Sequence, residues 1–205
     1  MCQNLTMDLK EKISYIIGRD MAANLKKQGI EVEAESFLMG FKEAQEGKPS
    51  SLTQNDVQQA MMALQQEMAE KQNAAGGENK KAGEAFLAEN KDKEGVKTLP
   101  SGLQYMVLKE GTGKSPSASD TVTTHYHGTL IDGTTFDSSY ERGQPATFPV
   151  NGVIAGWTEA LQMMKEGAKW RLFIPSGLAY GAQGAGDVIG PNSTLIFDVE
   201  LLSVK

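Results

Sequence analysis

From Asp8 to Gln28 the apolar residues Leu9, Ile13, Ile16, Ile17, Met21 and Leu25 recur every three or four positions. This spacing predicts a helix with one buried face, which Gly29 ends. Phe37, Leu38 and Phe41 predict a second helix from about Glu33 to Glu46, closed by Gly47-Lys48-Pro49. Thr53 and Asp56 then read as a capping box with aspartate in the usual glutamate place, opening a polar, Ala- and Glu-rich helix that continues to about Lys93. Unbroken, roughly 40 residues at about 1.5 Å each would span about 60 Å. Gly76-Gly77 interrupts the pattern at a cost on the order of 2 kcal/mol relative to alanine. Either a hinge between Ala74 and Asn79 or an intact but weakened helix is expected there.

Beyond Leu99 the period changes from helical to alternating. Gln104 to Leu108, Thr121 to Tyr126, Ala168 to Ile174 and Leu195 to Leu202 read as strands, and Asp132-Gly133 predicts a hairpin with a primed turn. Only Gly156 to Met163 carries a helical pattern among them. The fold class is α+β: an all-α module (residues 1–52), a long connecting helix (53–98), and a curved antiparallel sheet wrapped around one short helix (99–205).

The stripe Val57, Met61, Leu64 and Met68 is ordinary packing or, given methionine's adaptable side chain, a surface for varied substrates. The first two helices are too small a unit to bury both apolar faces against each other. They require a partner surface, either the C-terminal domain or a second chain.

A net charge of −6 and a pI of about 5.1 argue against a surface that tracks phosphates, so nucleic acid is not an expected partner. No apolar run approaches the roughly 20 residues that cross a bilayer. The single cysteine, Cys2, allows no internal disulfide and is alternatively the lipid-attachment residue of a lipoprotein. His125 and His127 share a strand face, but no third ligand accompanies them at a recognisable spacing; no metal is expected. Gly111, Gly113, Gly181, Gly184 and Gly186 lack the Gly-Lys-Ser/Thr ending of a phosphate loop, so no nucleotide or other cofactor is implied.

The stretch His125 to Ser139, with Phe136-Asp137 closing the hairpin, is followed by Phe148-Pro149-Val150, Val153 to Leu161, Ala179-Tyr180-Gly181 and Thr194 to Leu202. In this order the motifs resemble the FKBP-type peptidyl-prolyl isomerases over roughly residues 99–205. Ser14 to Gly18, Glu84 to Asn90 and Leu99 to Tyr105 look like the macrophage-infectivity-potentiator branch, whose members place a helical dimerisation module before the isomerase domain.

The resemblance implies a prolyl pocket lined by Tyr126, Phe136, Val153, Ile154, Trp157, Tyr180 and Phe197, with Trp157 as its floor and Ala179 and Ile189 beside it. It implies that Asp137 turns its carboxylate to the substrate carbonyl or to the pocket's own network, with Arg142 holding it; an ion pair that only shapes the loop is the alternative. Tyr180 and the Ile154 N–H would donate to the substrate, making Asp137, Tyr180, Phe136 and Trp157 the catalytic set. The implied activity is rotation about Xaa-Pro bonds during folding, by a homodimer with chaperone capacity. The alternative is a prolyl-segment-binding chaperone or surface factor with little turnover. Partners would be unfolded or prolyl-containing polypeptides, with rapamycin-type macrolides as candidate inhibitors. Ala146, Ala185 and Gly190 depart from the family's habits, so the glycine-rich stretch from Ala182 to Asn192 is expected to be mobile and to alter macrolide affinity. A periplasmic, outer-membrane-associated or cytoplasmic location is left open.

Overall fold

The computed structural model describes residues 7–205; Cys2 lies outside them. Helices α1 (Leu9–Lys27), α2 (Ala34–Gln45) and α3 (Gln54–Asn90) precede an antiparallel sheet of seven strands, with one further helix, α4 (Ala155–Met163). Each early helix is started by side chains. Asp8 and Glu11 form a reciprocal capping box on α1, Glu33 accepts from the Glu35 and Ser36 N–H groups at α2, and Thr53 and Asp56 cap α3. Among the described residues no helix is long and apolar enough to cross a membrane.

The chain divides into two compact units, residues 1–69 and 70–205. The division falls inside α3. The reason is packing: α3 is helical through Gly76-Gly77, and its later part buries Gly76, Gly83 and Asn90. A Cβ on Gly83 would lie 2.2 Å from Thr194 Oγ1. The Asn90 side chain donates to Gln104 Oε1 (2.9 Å), and Gln104 Nε2 donates to the Leu87 carbonyl (2.8 Å). The glycines that weaken the isolated helix are, at Gly76 and Gly83, what lets it approach closely.

The strands are β1 (Val96–Thr98), β2 (Gln104–Lys109), β3 (Thr121–Leu130), β4 (Thr135–Ser138), β5 (Ala146–Pro149), β6 (Lys169–Ile174) and β7 (Leu195–Val204). They run in the order β1-β2-β6-β7-β3-β4, with β5 also on β3. Long β3 thus serves two short partners, Thr121 to Thr124 pairing β5 and His127 to Thr129 pairing β4. Alternation is strict where it matters: Val122, Thr124, Tyr126 and Gly128 of β3, and Leu195, Phe197, Val199 and Leu201 of β7, face the core. Against this face α4 buries Trp157, Ala160 and Leu161, and Gly156 passes so close to Ile174 that a Cβ would lie 2.6 Å from it.

The hairpin turn differs from the primed turn expected. Gly133 N–H donates to Leu130 C=O (3.0 Å) and Leu130 N–H to Thr134 C=O (2.9 Å), and only Gly133 (φ 88°) has positive φ in the turn. Ile131 and Asp132 therefore form the centre of an ordinary turn, and Gly133 is the left-handed residue of a bulge. Asp132 accepts from the Thr134 N–H (2.8 Å), which explains aspartate at this place.

Candidate active site

The register of three strands assembles one aromatic wall. Tyr126 of β3 opposes Val199 of β7, Gly128 opposes Phe197, and Gly128 also opposes Asp137 of β4. A Cβ at Gly128 would lie 2.6 Å from the Phe136 ring and 2.7 Å from the Phe197 ring. Glycine there lets those rings meet edge to face, at 5.3 Å and 80°. Trp157, in the first turn of α4 and only 4 % exposed, receives Tyr126, Phe148 and Phe197 at 5.3, 5.9 and 5.2 Å, each nearly perpendicular to it.

Above the indole lies a cleft of about 660 Å³ lined by Tyr126, Phe136, Asp137, Phe148, Val153, Ile154, Trp157, Tyr180, Phe197 and the segment Ala185 to Ile189. Asp137 is held at its edge. Tyr126 Oη donates to Asp137 Oδ2 (2.5 Å), Arg142 Nη2 donates to Tyr126 Oη (2.7 Å), and Arg142 Nη1 donates to Asp137 Oδ1. Burial, and then the hydrogen bond to Asp137, push the Tyr126 phenol above its ordinary pKa, so it stays a donor. The hydrogen bonds to Tyr126 and Asp137 raise Arg142 further. Both Asp137 oxygens are engaged, which suits a fixed charge and not a proton carrier.

The Tyr180 hydroxyl, on a residue 41 % exposed, and the Ile154 N–H, just before the first turn of α4, have no protein acceptor among the described residues. Both residues border the cleft.

Of the residues singled out from sequence, Tyr126, Phe136, Asp137, Val153, Ile154, Trp157, Tyr180, Ile189 and Phe197 border this cleft. Arg142 and Ala179 do not. Arg142 borders a shallower groove beside it with Phe136 and Asp137, and Ala179 packs on the core. The structure adds Phe148, Gly152, Gly186, Asp187 and Val188. Phe148 is the inward position of the short strand β5, whereas Val188, 45 % exposed, carries no sequence signal. Ala146 is partly buried away from the cleft, and Ala185 borders it. His125 stacks on Tyr140 (4.6 Å) and pairs with Ser139 Oγ (2.9 Å).

One helix thus lies against a curved sheet, with an aromatic cleft over a tryptophan. The chain matches the profile described as "FKBP-type peptidyl-prolyl cis-trans isomerase" over residues 112–202 and that of the "domain amino terminal to FKBP-type peptidyl-prolyl isomerase" over residues 10–107. It belongs to the FKBP-type peptidyl-prolyl cis-trans isomerases. It is 47 % identical to the outer membrane protein MIP of Legionella longbeachae over 98 % of this chain and 88 % of that one. It is also 47 % identical to the peptidyl-prolyl cis-trans isomerase Mip of Coxiella burnetii, over 96 % and 87 %. The crystal structure of FkpA from Escherichia coli superposes with a TM-score of 0.71 at 39 % identity, covering 98 % of this chain and 99 % of that one. The chain is therefore an enzyme, and its substrates are polypeptides containing prolyl bonds.

Proposed function

We propose that the cleft over Trp157 is where this enzyme rotates Xaa-Pro bonds in folding polypeptides, and that it works as a homodimer able to hold unfolded chains. The observation that carries the site is an aromatic cleft bordered by Tyr180 Oη and the Ile154 N–H, donors without a protein acceptor among the described residues. The barrier to rotation, about 18–20 kcal/mol, comes from amide resonance. Moving the amide out of water onto Trp157 removes the hydration that favours the polar planar form, and hydrogen bonds that form best with the twisted carbonyl lower the barrier further. Asp137, fixed by Tyr126 and Arg142, adds a constant field beside the rotating carbonyl and transfers no proton.

In a coupled assay on a prolyl peptide and on a slow-refolding protein, the full chain is expected to accelerate both. Asp137→Ala, which leaves Tyr126 and Arg142 without their acceptor, is expected to lower kcat/KM by roughly tenfold, the equivalent of about one charge-assisted hydrogen bond. Prolyl-peptide binding without acceleration would favour the binding-module reading, and unchanged turnover in Asp137→Ala would remove the electrostatic role.

The dimer reading rests on α1 and α2. No side chain of either helix is buried within the single chain, and Leu9, Ile16, Leu38 and Phe41 stand exposed on faces that cost free energy in water. Sedimentation at micromolar concentration should give a species of twice 22.1 kDa. A single 22.1 kDa species would overturn it. An envelope location is supported by the relative named as an outer membrane protein, and fractionation of cells expressing the gene from its own locus tests it.

A further inference from the structure

The wall of the cleft opposite the hairpin is the segment Ala185 to Ile189, closed on itself by Ala185 N–H to Ile189 C=O (2.8 Å) and Ile189 N–H to Ala185 C=O (3.2 Å). Ile189 is 8 % exposed and belongs both to the core and to the cleft lining, while Val188 stands at the cleft's edge. The residues immediately after this wall are held from outside by the later part of α3. Asn79 Nδ2 donates to the Pro191 carbonyl (2.9 Å), and Asn192 Nδ2 donates back to the Gly76 carbonyl (3.2 Å).

The fit allows little slack. A Cβ on Gly76 would lie 3.2 Å from Asn192 Nδ2 and 3.3 Å from Pro191 Cβ, and a Cβ on Gly190 would lie 3.0 Å from Asn79 Nδ2. Asn192 takes a left-handed backbone (φ 56°), which turns its amide onto α3 while its N–H donates to the Gly181 carbonyl (2.8 Å). Gly181 directly follows Tyr180, the free hydroxyl of the site. The segment that the sequence marks as glycine-rich is thus pinned at its far end by two hydrogen bonds from side-chain amides, one in each direction between it and a helix.

We propose that Asn79 and Asn192 are positioning residues of the prolyl site: through Pro191 and Gly76 they lock the Ala185–Ile189 wall in register with Trp157. The consequence is that α3 sets how the enzyme reads the residues flanking the proline. This rests on the cleft being the prolyl site. A wall that contacts the flanking residues does so in planar and twisted states alike, so its loosening falls on KM more than on kcat.

The test uses the full chain in three variants and a series of Xaa-Pro peptides differing at Xaa. Asn79→Ala removes one bond; Asn192→Gly removes the other while keeping a residue at ease with positive φ. Both are expected to raise KM by roughly 3- to 10-fold, the worth of about one partly buried hydrogen bond. The same variants should leave kcat within about 2-fold, narrow the spread of kcat/KM across the Xaa series, and speed amide exchange at Ile189. Gly77→Ala is the control on the same helix, because a Cβ there meets nothing within 4 Å; its KM should match the parent's. Absence of turnover in the parent chain would sink the assignment of the site itself. With the parent active, unchanged KM and Xaa preference in both asparagine variants would overturn the positioning role alone. Asn79→Ala failing to fold leaves Asn192→Gly as the deciding variant.

Discussion

Gly128→Ala is expected to lower kcat/KM on prolyl peptides by roughly 10- to 100-fold while leaving the chain folded, an effect of about 1–3 kcal/mol by overpacking. The added methyl lies within 2.7 Å of both the Phe136 and Phe197 rings, and neither ring has an easy way out. Phe197 is 5 % exposed and stands edge-on to Trp157 at 5.2 Å, so a shift of about 1 Å there moves the floor of the cleft, and such a misplacement costs on the order of 10²-fold in rate. A shift of Phe136 instead displaces Asp137, its neighbour on β4 and the acceptor of the Tyr126 hydroxyl. Activity and intrinsic fluorescence measured together read the outcome, since both tryptophans, Trp157 and Trp170, are buried in the same unit. A variant with parental kcat/KM would mean that the two rings can part without moving the cleft.

Gly128 also marks where reading the sequence reaches its limit. The inward residues of β3 and β7 were legible because a half-buried strand must alternate, and the cap of α3 because the orphan N–H groups of a first turn demand nearby oxygens. A glycine's reason for being glycine, by contrast, lies in whatever approaches it from elsewhere in the chain. Gly76 and Gly77 look alike in sequence, yet one faces Pro191 and Asn192 and the other faces open space. The docking stripe of α3, Gly76, Asn79, Gly83 and Asn90, repeats at helical spacing but is small and polar, so a search for apolar periodicity passes over it. The same holds for the turn at Asp132-Gly133: the dipeptide announces a reversal, while the bulge is set by how β3 and β4 must pair to bring Gly128 opposite Asp137.

Gly111 carries the largest stability effect expected. It belongs to no strand or helix, and its φ is not positive, so its conformation alone does not call for glycine. Its surroundings do: a Cβ would lie 2.4 Å from the Lys165 carbonyl, 2.6 Å from the Ala168 nitrogen and 2.7 Å from the Glu166 carbonyl. All three are backbone atoms of the turn that leads from α4 into β6, and they cannot rotate aside as a side chain can. The turn is tied on both sides. Thr112 and Gly113 donate to the Glu166 carbonyl (3.2 and 3.0 Å), Glu166 donates to Lys114 (3.0 Å), and Gly167 donates to Leu201 (2.8 Å). Making room for one methyl therefore breaks several of these bonds at once, and Gly111→Ala should cost about 3–5 kcal/mol. Followed by tryptophan fluorescence, the melting midpoint should fall by roughly 10–20 °C. Gly133→Ala separates the two uses of glycine. Nothing lies within 4 Å of its Cβ position, so only the left-handed backbone (φ 88°) is strained and the loss should be about 1–2 kcal/mol. A Gly111→Ala midpoint no lower than that of Gly133→Ala would show that the α4–β6 turn can open without cost, contrary to the close approach seen at this glycine.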